Sequence, residues 1–128
     1  MRELDYTLPF IPFGKGGFII FNQLKQAIRI IRMTIAIDYD DTYTKAPYMW
    51  DKIIRVMKNH GCKVICVTAR HDSMMEDVYN HLKGTIHKCR IYNTDHEFKR
   101  PFLQKKGIRV DIWIDDMPEL INNSMIIK

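Results

Sequence analysis

The residues best suited to chemistry close one short stretch, Met33-Thr-Ile-Ala-Ile-Asp-Tyr-Asp-Asp-Thr42, and are Asp38, Asp40, Asp41 and Thr42. The apolar, partly β-branched run that leads into them reads as a buried strand bounded by polar turn residues. Alternation along an extended chain puts Asp38 and Asp40 on the same side as the chain leaves that strand. In open α/β sheets, ligands bind just beyond the carboxyl ends of the strands. Carboxylates held close together repel, so folding alone gains nothing from the arrangement, whereas a bound cation or a reaction does. An Asp-rich turn with no further role is the competing reading of these ten residues taken alone.

The remaining polar candidates recur at the ends of later elements. Pro47–Asn59 reads as a helix, with Pro47 in its first turn, an inward stripe of Trp50, Ile53, Ile54 and Met57, and Gly61 as the stop. Lys63–Thr68 is a second strand that runs into Thr68-Ala-Arg70-His71. A helix is expected over Asp72–Lys83, capped by Asp72 or Ser73, with Met75, Val78, Tyr79 and Leu82 inward. A third strand is expected over Ile86–Tyr92, although Lys88 and Arg90 interrupt its alternation. A helix over Lys99–Lys106, closed by Gly107, precedes a fourth strand, Arg109–Ile114, which ends in Asp115-Asp116. A short helix over Pro118–Ile121 and an edge strand at Met125–Ile127 finish the chain.

Strands alternating with helices predict right-handed crossovers, a mostly parallel sheet and a three-layer αβα, Rossmann-like domain. A parallel sheet of this kind gathers Asp38, Asp40, Thr68, Asp115 and Asp116 at one edge, within reach of Lys99. Each residue also has an ordinary structural use. Thr68 could cap the region near Asp72, Asp116 and Glu119 could form a capping box, and Lys99 could lie on a solvated helix face. Those uses do not explain why all of them arrive at one edge in this order.

Asp38-x-Asp40-x-Thr42, the strand-terminal Thr68, Lys99 and the strand-terminal Asp115-Asp116 resemble the four motifs of the haloacid dehalogenase-like superfamily. The resemblance covers roughly residues 33–121. The Asp-Tyr-Asp-Asp-Thr segment is similar to that of phage-encoded and 5′(3′)-deoxyribonucleotidase-like members, where glycine is otherwise common at the place of Asp41. A response-regulator receiver also clusters acids, a Thr and a Lys, but its acidic pair comes first and here the pair comes last.

The resemblance implies a Mg²⁺-dependent phosphomonoester hydrolase. Asp38 would form an aspartyl-phosphate and Asp40 would act as acid and base. The Asp38 side chain, the Asp40 carbonyl and Asp115 or Asp116 would hold the metal, while Thr68 and Lys99 would bind the phosphoryl group. Asp41, Thr42, Arg70, His71 and Arg100 are candidate substrate contacts. Asp38 and Thr68 are 68 − 38 = 30 residues apart, and Thr68 and Lys99 are 99 − 68 = 31 apart. Neither interval has room for the cap domain that many relatives insert.

A nucleotide or another small phosphate ester is the expected substrate. The Thr-Ala-Arg70 segment is also similar to polynucleotide 3′-phosphatases, which keeps a nucleic-acid end as an alternative. A non-catalytic module that binds nucleic acid or a partner through its basic loops and N-terminal helix is the third reading.

Composition bounds these readings. A chain of 128 residues, 46% hydrophobic and 27% charged, suits one domain. Residues 1–32 stand apart as an N-terminal extension: a Pro- and Gly-rich lead, then an amphipathic helix over Phe18–Arg32 with a basic face. Packing on the domain proper, residues 33–128, is its expected fate, ahead of a partner or membrane-surface contact. No apolar run approaches the roughly 18–20 residues that span a bilayer, and no secretory signal is evident, so cytoplasmic residence is expected. The formal net charge of +5 favours anionic ligands without naming one. Cys62, Cys66 and Cys89 lack metal-site spacing and read as reduced, buried thiols.

Overall fold

The computed structural model describes residues 32–122. The expected helix over Phe18–Arg32 and the edge strand at Met125–Ile127 therefore fall outside the described residues, apart from Arg32 itself. Four strands form one sheet: β1 (Thr34–Ile37), β2 (Lys63–Thr68), β3 (Ile91–Asn93) and β4 (Ile112–Ile114). Their order is β3-β2-β1-β4 and every pairing is parallel. Three helices connect them: α1 (Pro47–Asn59), α2 (Glu76–Leu82) and α3 (Lys99–Lys105). No helix among the described residues is long and apolar enough to cross a membrane.

Strand alternation divides the core between the two faces of the sheet. On one face Ile37, Val64 and Cys66 pack with Ile54 of α1 and with Val78 and Leu82 of α2. On the other, Ala36, Ile65 and Val67 meet Leu103 of α3, with Phe102 and Trp113 at the margin. Helices thus cover both faces, as a parallel sheet requires, and β1 and β2 are apolar at nearly every position for that reason.

Two helices stop in the same way. Gly61 (φ 92°) and Gly107 (φ 76°) sit in the left-handed region that glycine adopts without a steric penalty. Beyond them, Cys62 N–H donates to Met57 O at 3.0 Å, and Ile108 N–H donates to Leu103 O at 2.9 Å. These bonds satisfy carbonyls that the helix ends would otherwise leave open.

Four expectations need correction. The third strand begins at Ile91, because Lys88–Arg90 form a 3₁₀ turn whose preceding residue, His87, accepts the Cys89 N–H at 3.1 Å. That turn keeps Lys88 and Arg90 in water, whereas a strand through them would bury a cation. The fourth strand begins at Ile112, since Asp111 is spent on the head of β1, where its carboxylate accepts the Thr34 N–H at 2.9 Å. The helix expected over Asp72–Lys83 is split into a 3₁₀ turn, Asp72–Met74, and α2. His71, not Asp72 or Ser73, caps the turn by accepting the Ser73 N–H. Finally, Cys66 is buried and Cys62 half-buried, but Cys89 is exposed, and all three are free thiols.

Ile65 is fully buried at the centre of β2. Ile65→Ala should lower unfolding free energy by roughly 2–5 kcal/mol, the usual cost of emptying such a position, as read by urea denaturation. A loss below about 1 kcal/mol would contradict this packing.

Candidate active site

The strand order reverses between β1 and β4, which makes a crevice beyond their carboxyl ends. Asp38 directly follows β1, and its N–H donates to Ile114 O of β4 at 2.9 Å. Asp115 and Asp116 directly follow β4. The last backbone bond between these strands therefore lies at the mouth of the crevice, with three carboxylates around it.

Lys99, the first residue of α3, closes the group from the side. Its Nζ lies 2.8 Å from Asp38 Oδ1 and 2.6 Å from Asp115 Oδ2. The side chains of Lys99 and Asp115 are each 2% exposed and that of Asp38 is 9% exposed. The solvated-face reading of Lys99 is thereby set aside. Thr42 completes the cluster: its hydroxyl lies 3.2 Å from Asp38 Oδ2 and 3.1 Å from Asp116 Oδ1. It also accepts the Asp116 N–H at 3.2 Å. A hydroxyl has one proton to give, so Thr42 serves one carboxylate at a time. Asp116 faces this cluster and makes no side-chain cap for the 3₁₀ turn at Pro118–Leu120, which removes the capping-box reading.

The charges do not balance. Burial pushes the Asp38 carboxyl up to about 6; Lys99 opposes this and Asp115 adds to it. Burial would also pull the Lys99 ammonium down, but its bonds to Asp115 and Asp38 outweigh that and hold it above its ordinary value. At Asp116 desolvation acts upward, yet hydrogen bonding with Asp38 and Thr42 prevails and holds the carboxyl below its ordinary value. One ammonium thus faces three carboxylates. One carboxylate oxygen each from Asp38, Asp115 and Asp116 lies within 4.8 Å of the others. An excess of negative charge on hard oxygen donors fits a hard divalent cation, and fits no soft metal.

The outer candidates are placed differently. Both Asp40 oxygens accept from Arg70, at 2.9 Å from Nε and 2.8 Å from Nη2. Arg70 is therefore not a free cation awaiting substrate. Thr68 is buried at the end of β2, where its hydroxyl accepts the Arg70 N–H at 3.4 Å; it caps no helix. Asp41 sits at φ 63°, a left-handed conformation that Asp tolerates, and its N–H donates to Thr44 Oγ1 at 2.9 Å. Asp41 is thus a turn former with an exposed side chain.

His71 caps the neighbouring turn, with its ring on Ser73. Arg100 is not brought into the cluster: its guanidinium bonds Asn122 and lies over the Trp113 ring. There it borders a separate cavity of about 270 Å³. Two groups went unnoticed in the sequence, the Met74 carbonyl and Asp77, each 2.7 Å from Arg70 Nη1. A contact across a turn of irregular pitch has no periodic signal by which to find it.

In comparisons with known proteins the chain matches no family model, no curated protein and no solved structure.

Asp38 gives the metal-free chain a defined pH response. Its carboxyl is about 6 when folded against an ordinary 3.8, so its favourable contribution is full below 3.8 and is lost as pH rises through 6. Urea unfolding in chelator should show wild type losing about 3 kcal/mol relative to Asp38→Asn between pH 3.5 and 7.5. A difference between the two proteins that stays constant with pH would contradict this electrostatic picture.

Proposed function

We propose that the chain is a capless phosphohydrolase of the haloacid dehalogenase-like type. More particularly, we infer a Mg²⁺-dependent phosphatase acting on a nucleotide or another small phosphate ester. The observation that carries this reading is the meeting of Asp38, Asp115, Asp116 and Lys99 in one crevice from three separate elements. A structural ion pair would need only one acid.

Hydrolysis of a phosphomonoester asks for a nucleophile, charge neutralisation and a proton for the departing alcohol. Asp38 attacks phosphorus and displaces the alkoxide, giving an aspartyl-phosphate; water then cleaves that acyl phosphate and restores the carboxylate. Asp40 delivers a proton to the leaving oxygen and later takes one from the attacking water. Lys99 offsets phosphoryl charge, and the Thr68 hydroxyl hydrogen-bonds a phosphoryl oxygen. Mg²⁺, held by the carboxylates of Asp38 and Asp115 or Asp116 with the Asp40 carbonyl, would supply the positive charge that lets two anions approach.

Between β1 and β2 the chain contributes only a 3₁₀ turn and α1, so no inserted domain covers the crevice from that connection. An open crevice suits a small ester bound through its phosphate, and equally a macromolecular phosphate such as a nucleic-acid end. Arg70, one of the residues behind the nucleic-acid-end alternative, is bonded to Asp40 and Asp77.

Release of phosphate from p-nitrophenyl phosphate with and without Mg²⁺ tests the proposal. Wild type should turn over only with the metal, and Asp38→Asn should lose at least about 10³-fold in kcat while remaining folded by circular dichroism. Turnover by that variant at the wild-type rate would refute the nucleophile.

A further inference from the structure

We infer that Arg70 is a positioning residue for Asp40, and that the segment leading into α2 holds Arg70 in place. This rests on the proposed function for Asp40's part in catalysis, and on geometry alone for the clamp. Asp40 follows β1 on a turn whose next residue is left-handed, and its side chain is half exposed. A carboxylate so placed has several rotamers in water and no packing to choose among them. Arg70 chooses one: Nε and Nη2 meet the two Asp40 oxygens as a planar fork at 2.9 and 2.8 Å. Such paired bonds fix the plane of the carboxylate as well as its position.

Arg70 is fixed in turn from both sides. Its Nη1 donates to Met74 O and to Asp77 Oδ1, each at 2.7 Å. Its guanidinium also lies 5.1 Å from the Tyr39 ring centroid. Tyr39 is itself buried, stacked on Tyr43, and bonded through its hydroxyl to His81 Nδ1 of α2 at 2.8 Å. Both Nη1 donors are thus committed to the 74–77 segment, and the cation side chain is only 19% exposed. An arginine waiting for a substrate phosphate would leave its fork open. This one is closed on a carboxylate two residues from Asp38.

Leaving-group dependence separates positioning from other roles, because proton delivery matters more to an alkyl alcohol than to p-nitrophenol. Arg70→Ala should lower kcat on glycerol 2-phosphate by about 10²-fold, and on p-nitrophenyl phosphate by less than about fivefold, with KM nearly unchanged. Arg70→Lys should not restore the loss, since a point charge cannot hold both oxygens. Asp77→Asn should show the same pattern more weakly. A KM raised about tenfold on both esters would instead make Arg70 a substrate contact, and an equal fall in kcat on both would make it structural; either overturns the inference.

The clamp is also read without activity, from the Arg70 Nε–H resonance in the full chain. Slow solvent exchange in wild type, lost in Asp40→Ala, supports it. Equally fast exchange in both proteins overturns it. If wild type hydrolyses neither ester, the proposed function fails, while this resonance still decides the clamp.

Discussion

A single buried ammonium shared by two buried carboxylates is the constraint on which the rest of the structure depends. Taking Lys99, Asp38 and Asp115 out of water is costly, and their mutual attraction offsets that cost only with close, well-aligned contacts. The contacts at 2.8 and 2.6 Å meet that condition, and they tie the ends of β1 and β4 to the start of α3. Lys99 is also at the wrong end of its helix. A cation in the first turn opposes the helix dipole, and α3 has no acidic residue there to compensate. Helix stability alone would not choose this lysine, whereas a site that must hold negative charge would.

The surrounding architecture serves that placement. The reversal of strand order between β1 and β4 brings residues 38 and 115–116 together although 77 residues separate the first pair (115 − 38 = 77). Left-handed residues cluster on the loops at this edge: Asp41 after β1, and Asp95 and His96 after β3. The second pair is held by backbone bonds, with Asp95 N–H donating to Arg70 O at 3.2 Å and His96 N–H to Ala69 O at 2.9 Å. Strain of this kind persists where the surroundings over-determine the backbone. Here those bonds lock the loop ahead of Lys99 to the loop after Thr68.

Much of this was legible in the sequence because it depends on local patterns. Uninterrupted apolar runs marked β1 and β2, and Pro47 and Gly61 marked the two ends of α1. Alternation with helices implied a parallel sheet, and that topology is enough to gather the strand-terminal acids. The failures have other causes. At His71 an imidazole takes a local cap usually filled by Ser, Thr, Asp or Asn, and at Asp111 and Asp77 a polar side chain settles a backbone or guanidinium group from another part of the chain. Arg70 shows the same limit: its type and place suggested a phosphate ligand, and only the fold reveals that Asp40 already fills its fork. Arg100 lies one residue from Lys99, yet helical rotation sends it to Trp113 on another face.

The most direct single measurement is fluorine NMR of beryllofluoride, which mimics a phosphoryl group on a carboxylate, added to the full chain with Mg²⁺. Bound resonances are expected in wild type, and they should vanish when Mg²⁺ is chelated or when Asp38 is replaced by Asn. Bound signals that survive both changes, or none at millimolar ligand in wild type, would contradict a crevice built to hold a cation and a phosphoryl group at Asp38.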